Sequence, residues 1–265
     1  MRQNSLEHVF SVCAYKESPF LEICIKSLLH QSDPSPIIVC TSTPCDYIRK
    51  ICDRNGVPLH IRNGKSTIKD DWNFAYNEAD ADYVTLAHQD DVYSTNYAHV
   101  FKEQISGDDR DVILFLTDYL PLKNNRIEGR DINSAIRHFL RIPLKNEMLA
   151  KKKKIRKWTL AFGNSICCPT VTYHKGRLGD NLFVSSYNFN IDWDTFLMLA
   201  NKNGRFVYAD EPLVFYRVHD GATSKEFIEN HLRISEDSSM FRQFWPAWFV
   251  RFIMVFYKKA YETYN

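Results

Sequence analysis

Nowhere does this sequence contain the ~20 consecutive apolar residues that a bilayer-spanning helix needs, and its first residues, MRQNSLEHVF, lack the apolar core of a secretory signal. A chain that at most lies on a membrane is the expectation. Neither sign of charge dominates: 34 Lys and Arg against 32 Asp and Glu leave +2, so composition lends no support to a nucleic-acid partner. The seven cysteines, at positions 13, 24, 40, 45, 52, 167 and 168, are odd in number and include no Cys-x-x-Cys pair. That argues against a disulfide framework and a structural zinc site, and for a reducing cytoplasm. The glycine-rich dinucleotide fingerprint and the P-loop are both missing. There is no internal repeat and no low-complexity linker.

What is present is an ordinary globular composition, 45% hydrophobic and 25% charged over 265 residues, enough chain for one large core. Strand and helix patterns alternate through the first half. Residues 8–15 (HVFSVCAY), 36–41 (PIIVCT), 58–62 and 83–87 read as strands; 20–31, 47–55 and 71–79 read as helices. Pro19 suits a first helical turn, which Ser18 can cap. This spacing predicts parallel βαβ units with helices on both faces. Further on, 111–119 is a strand and 120–158 is irregular, with Ile132, Ala135, Ile136, Phe139 and Leu140 on one helical face. Residues 162–175 resume strand character, and 191–203 form a helix. Two short strands are expected in 205–219 around a turn at Asp210-Glu211-Pro212, with helical segments filling 224–265.

The stretch that organises the rest is 81–93, ADYVTLAHQDDVY. A buried strand runs straight into His88-Gln89-Asp90-Asp91, and ligands of open α/β sheets bind beyond the carboxyl ends of strands. Adjacent carboxylates repel, and a hard cation taking oxygen ligands relieves that repulsion. A helix-capping turn is the alternative.

Five segments, in order, resemble a family 2 glycosyltransferase of the GT-A fold, the inverting type that builds bacterial surface polysaccharides and glycolipids. They are FSVCAYKESPFLEICIKSLLHQ, DWNFAYNEADADYVTLAHQDD, FGNSICCPT, NIDWDTFLMLANKNG and DEPLVFYRVHDGATS. The resemblance implies a Rossmann-like, mostly parallel central sheet flanked by helices over residues 1–222, with a nucleotide-binding half (1–119) and an acceptor-side half (120–222). A helical extension, 223–265, follows. It also implies Mn²⁺ or Mg²⁺ as cofactor, a nucleotide-sugar donor (a UDP-sugar by family expectation), and a glycan or lipid-linked glycan as acceptor.

Carried over residue by residue, Asp90 is the metal ligand, with Asp91 beside it and His219 as a further candidate. Ala14, Tyr15, Glu17, Asp71, Asn73, His88, Gln89, Gly163, Asn164 and Arg217 fall around the nucleotide and donor sugar. Asp192 matches the catalytic base, with Asp194 as rival and helix capping as the plain alternative. The sequence departs from the family by placing His88 where the first acid stands, and Thr41-Ser42-Thr43-Pro44 where an Asp-Asp-Gly-Ser turn is usual. A nucleotidyltransferase on a similar fold, or a non-catalytic sugar-nucleotide or glycan-binding module, are the alternative functions.

Two stretches lie outside these motifs. The basic run 151–157 (KKKKIRK) is a solvated face or a flap near an anionic ligand such as a diphosphate or lipid headgroup. Residues 244–257 (FWPAWFVRFIMVFY), followed by Lys258-Lys259, are apolar nearly all round. Through 244–259 they can lie on the inner face of the cell membrane. Core burial or a homo-oligomer contact is the alternative.

Overall fold

The computed structural model describes residues 7–107, 109–219 and 232–262. In chain order, the first half runs β1 (His8–Ala14), α1 (Leu21–Leu29), β2 (Ile37–Thr41), α2 (Asp46–Asn55), β3 (Leu59–Ile61), α3 (Ile68–Glu78) and β4 (Tyr83–His88). These four strands pair in parallel in the order β3-β2-β1-β4, as the βαβ spacing predicts.

The chain continues through β5 (Val92–Tyr93), α4 (Tyr97–Ile105), β6 (Val112–Lys123), β7 (Arg126–Ile127), α5 (Ile132–Arg141), α6 (Glu147–Ala150), α7 (Lys153–Leu160), β8 (Val171–His174), α8 (Lys175–Leu178), α9 (Ile191–Ala200), β9 (Arg205–Arg217), α10 (Leu232–Arg242) and α11 (Ala247–Glu262). The same sheet extends from β4 through β8, β6, β9 and β5, with β7 on β6. Here β8 runs antiparallel to both neighbours, while β6 and β9 are parallel.

Period-two alternation divides the sheet between two cores. Val84 and Leu86 of β4 face a core shared with α3, α9, α10 and α11. Phe10, Val12 and Ala14 of β1 face the other, closed by α1, α2 and α4. Both faces are covered, which explains why these strands read as near-continuous apolar runs.

Three expectations are revised. Residues 205–217 are one strand, not two. Ala209 faces Thr117 while Pro212 faces Asp118, so Asp210 and Glu211 bulge out at the expected turn without ending the pairing. Of 162–175, only Val171–His174 is strand, entered through a short 3₁₀ turn at Cys168–Thr170. Ser18 also does not cap α1. Its hydroxyl takes the Phe20 N–H and its carbonyl takes the Leu21 N–H, a turn that precedes the helix.

The apolar face of α5 is largely exposed: Ile132 is 81% and Phe139 70% accessible. The helix is pinned instead by Arg141, 1% exposed and ion-paired with the equally buried Asp118. In the C-terminal segment, Phe241 meets Trp193 edge-on at 5.1 Å, and Val250 and Met254 are buried in the first core. Residues 220–231, including part of the expected helical segment, lie outside the described residues. Among the described residues, no helix is long and apolar enough to cross a membrane.

Candidate active site

The carboxyl ends of β1 and β4 lie side by side, and the two loops leaving them are stitched together. Gln89 accepts the Tyr15 N–H at 2.9 Å and donates to the Tyr15 carbonyl at 3.0 Å, continuing the ladder with a side chain. Ala14 is buried at the end of β1, while Tyr15 and Glu17 are exposed beyond it. Between them Lys16 adopts a left-handed backbone, φ 52°, uncommon for a residue with a side chain. Its N–H donates to Thr43 Oγ1 at 2.7 Å, and the Thr43 N–H to Thr41 Oγ1 at 3.1 Å. The turn after β2 is thus organised by hydroxyls rather than carboxylates.

At the tip of β4 the four residues take different directions. The His88 ring stacks on Trp72 at 5.3 Å, and its buried Nε2 has no hydrogen-bond partner among the described residues. Asp90 Oδ2 is 3.1 Å from His219 Nε2. Burial opposes ionisation of Asp90, but the His219 hydrogen bond and the potential of His88 and His219 outweigh it and hold the carboxyl below its ordinary value. Asp91 turns inward, 1% exposed, and its Oδ1 accepts the Arg217 N–H at 2.9 Å. Its Oδ2 is buried without a partner among the described residues. Burial and the neighbouring Asp90 push the Asp91 carboxyl up.

Arg217 completes the corner. Its Nε donates to the Asp90 carbonyl at 2.8 Å and its Nη1 to Asn125 Oδ1 at 2.7 Å. Its guanidinium lies 4.2 Å over the Phe20 ring, and His219 meets the same ring edge-on at 5.0 Å. Arg217 therefore works as a brace between the ends of β4 and β9.

The second carboxylate centre is at the start of α9. Asp192 Oδ2 accepts from Asn164 Nδ2 at 2.7 Å, and Oδ1 accepts the Trp193 N–H at 2.7 Å. It is not the cap: the N-cap position is Asn190, whose side chain donates instead to Asp237 at 2.7 Å. Burial pushes the Asp192 carboxyl up to about 6, against the opposing effects of the Trp193 N–H and the Arg137 charge. Cys167 feels the charge of both centres. Its half-buried thiol is pushed up first by removal from water and then by the charge of Asp91, with Asp192 adding to it.

A sequence profile described as Glycosyl transferase family 2 matches residues 10–172, well over half of the chain. The chain belongs to glycosyl transferase family 2. No curated protein sequence matches it. Similar solved structures include S. aureus TarS 1–349 in complex with UDP, 14% identical, with a TM-score of 0.59 over 90% of this chain and 70% of that one. Another is the mannosyltransferase PcManGT from Pyrobaculum calidifontis in complex with GDP-Man and Mn²⁺, 13% identical, with a TM-score of 0.62 over 90% of this chain and 63% of that one. Against the longer crystal structure of S. aureus TarS, 15% identical with a TM-score of 0.57, 90% of this chain is covered but only 42% of that one. At these identities the likeness is one of fold, the GT-A arrangement.

This family 2 glycosyltransferase commits several of its sequence-predicted site residues to local partners. Asp71 pairs with Arg62 at 2.7 Å and accepts from Ser66. Asn73 clamps the backbone of Phe183, donating at 2.8 Å and accepting at 2.9 Å. Gly163, φ +124°, sits where a Cβ would overlap the Tyr257 hydroxyl of α11. Sequence reasoning misses Phe20, Trp72 and Asn125, ordinary residues whose partners are remote in the chain. It also misses Asp118, His138 and Asp210, whose ligand atoms all lie within 4.8 Å of one another, a spacing that could hold a divalent cation. Arg130, Arg141 and Lys145 already pair with those two carboxylates, so charge balance there does not call for one.

Proposed function

We propose that this glycosyltransferase is an inverting, metal-dependent enzyme that moves a hexose-type sugar from a nucleotide-diphosphate donor, UDP first, to a glycan or lipid-linked glycan in cell-surface polysaccharide synthesis. The observation that carries the reading is Asp192, held by Asn164 and pushed up to about 6 at the head of α9. A general base works best when its pKa lies near the working pH. In this reading Asp192 takes the proton from the acceptor hydroxyl as that oxygen attacks the anomeric carbon. Attack comes from the face opposite the diphosphate, whose bond to that carbon breaks, and the configuration inverts.

Asp90 and His219 suit a divalent cation: a carboxylate and an imidazole converge at 3.1 Å, both common ligands of Mn²⁺. Bound there, the ion would supply Lewis-acid stabilisation of the leaving diphosphate. Gln89, through its two bonds to Tyr15, keeps the β1 and β4 loops in register beside the nucleoside. TarS 1–349 in complex with UDP-GlcNAc and PcManGT with GDP-Man make UDP- and GDP-sugars the donors to try first.

The test is transfer or donor hydrolysis with UDP- and GDP-sugars, with and without Mn²⁺, followed by the anomeric configuration of the product. Expected are a metal requirement, an inverted product, and an Asp192→Asn variant that still binds nucleotide but does not transfer. Full activity in that variant, or a retained configuration, overturns the reading. Pyrophosphate release from a nucleoside triphosphate would support a nucleotidyltransferase instead, and nucleotide binding without turnover a binding module.

A further inference from the structure

The outer face of α11 is not built for water. Trp248 is 71% exposed, Phe252 57% and Phe256 60%, spaced four residues apart along one side of the helix, while Val250 and Met254 fill the core on the other. These rings belong to a longer series of contacts. Phe256 meets Phe252 at 5.0 Å and Phe252 meets Phe249 at 6.1 Å; Phe249 then meets Trp245 at 4.9 Å. From Trp245 the series passes to Phe162 at 5.0 Å and on to Trp158 of α7, also at 5.0 Å. An aromatic ridge therefore runs from α11 to α7.

At the α7 end the ridge opens into a groove of about 250 Å³ lined by Lys154, Lys157, Trp158, Ala161, Phe244 and Trp245. The basic run differs along its length. Lys151 is neutralised by Asp111 at 3.2 Å and Glu147 at 2.9 Å, but Lys154 and Lys157 have no ion pair among the described residues. Residues 151–175 and 244–257 contain no Asp or Glu at all. Exposed tryptophan and phenylalanine beside unpaired lysines match a surface whose interior is apolar and whose headgroups are negative.

We propose that the α7–α11 surface docks the enzyme on an anionic lipid bilayer, with Trp248, Phe252 and Phe256 entering the interface and Lys154 and Lys157 meeting headgroup phosphates. The proposal is independent of the transfer reaction, since it uses none of Asp90, His219 or Asp192. Each lysine near an anionic surface contributes about a five-fold gain in partitioning, so reversing two of them costs at least about twenty-five-fold.

The test is co-sedimentation of the full chain with phosphatidylcholine vesicles, with and without phosphatidylglycerol. Wild type should pellet with the anionic vesicles only, with tryptophan emission shifted to the blue. Lys154→Glu/Lys157→Glu and Trp248→Glu/Phe252→Ser should both remain in the supernatant, with circular dichroism unchanged because Lys154, Trp248 and Phe252 are exposed and Lys157 is only half-buried. Wild type that stays soluble with both vesicle types, or binds them equally, overturns the proposal. A wild-type dimer that Trp248→Glu/Phe252→Ser converts to a monomer also overturns it, in favour of a second copy of this chain on that face.

Discussion

Asn164 Nδ2 lies 2.7 Å from Asp192 Oδ2, so the loop after α7 holds the carboxylate that heads α9. The other oxygen is held by the Trp193 N–H. With both oxygens engaged the half-buried acid is fixed in direction, and its removal from water outweighs the donors that favour the ion, leaving it reluctant to ionise.

This gives a pH dependence with a definite sign. Burial raises the Asp192 pKa from 3.8 to about 6, so its contribution to stability is full below pH 3.8 and is lost as pH rises through about 6. Asp192→Asn should match wild type in acid and exceed it in stability above pH 6, by at most about 3 kcal/mol. Activity runs the other way: kcat/KM of wild type should fall with an acid limb near pH 6 as the base protonates. Urea denaturation and a pH–rate profile measure the two. A limb near pH 4 would assign the base elsewhere.

Loss of Asp90 or His219 should remove the metal-dependent part of nucleotide binding and leave the fold intact. A nucleotide at a hundred times its Kd stabilises the native chain by about 2.7 kcal/mol. That shift in Tm should require Mn²⁺ in wild type, and should shrink to the metal-free level in Asp90→Ala and His219→Ala. Equal shifts in wild type and both variants would move the ion to other ligands.

Gly163→Ala should be costly for a reason outside the catalytic centre. The added methyl meets the Tyr257 hydroxyl, and φ +124° strains any side chain there. Together these should destabilise the chain by about 1–3 kcal/mol. Adding Tyr257→Phe, which removes the overlapping oxygen, should restore part of that loss. A double-mutant cycle with no coupling would show that backbone strain alone is responsible.

Arg141→Met tests the buried network behind α5. It leaves Asp118, 1% exposed, to Arg130 and His138 alone. Removing one partner of a buried ion pair costs about 3–5 kcal/mol. Asp118→Asn/Arg141→Met, which removes both charges, should recover most of it, as read by thermal unfolding.

The parallel half of the sheet was legible because its signals are local. Apolar strands separated by one helix each left β1 to β4 little choice of arrangement. Asp90 and Asp192 were singled out by their motifs alone. What they touch was not, because His219 and Asn164 meet them only through the tertiary fold. Phe20 shows the limit most clearly. Its apolar ring sits just ahead of α1, yet it serves as the platform for Arg217 and His219, far along the sequence at the end of β9. The continuity of β9 was hidden for a similar reason. Pro212 reads as a break, but pairing with β6 on both sides of Asp210-Glu211 carries the strand through. In α5, periodicity marked an apolar face, but most of that face is exposed while Arg141 is buried on Asp118.

The bond from the Arg217 N–H to Asp91 spans 126 residues of sequence, and the contact from His219 to Asp90 spans 129. A chain emerging from the ribosome can lay down β1 to β4 with Asp90 already at the tip, yet the imidazole that faces it is still unmade. Contacts of such separation form late, after the local pairings that do not wait for them. Until β9 takes its place beside β6 and β5, the acidic motif stands without its histidine, and only the closed sheet unites them.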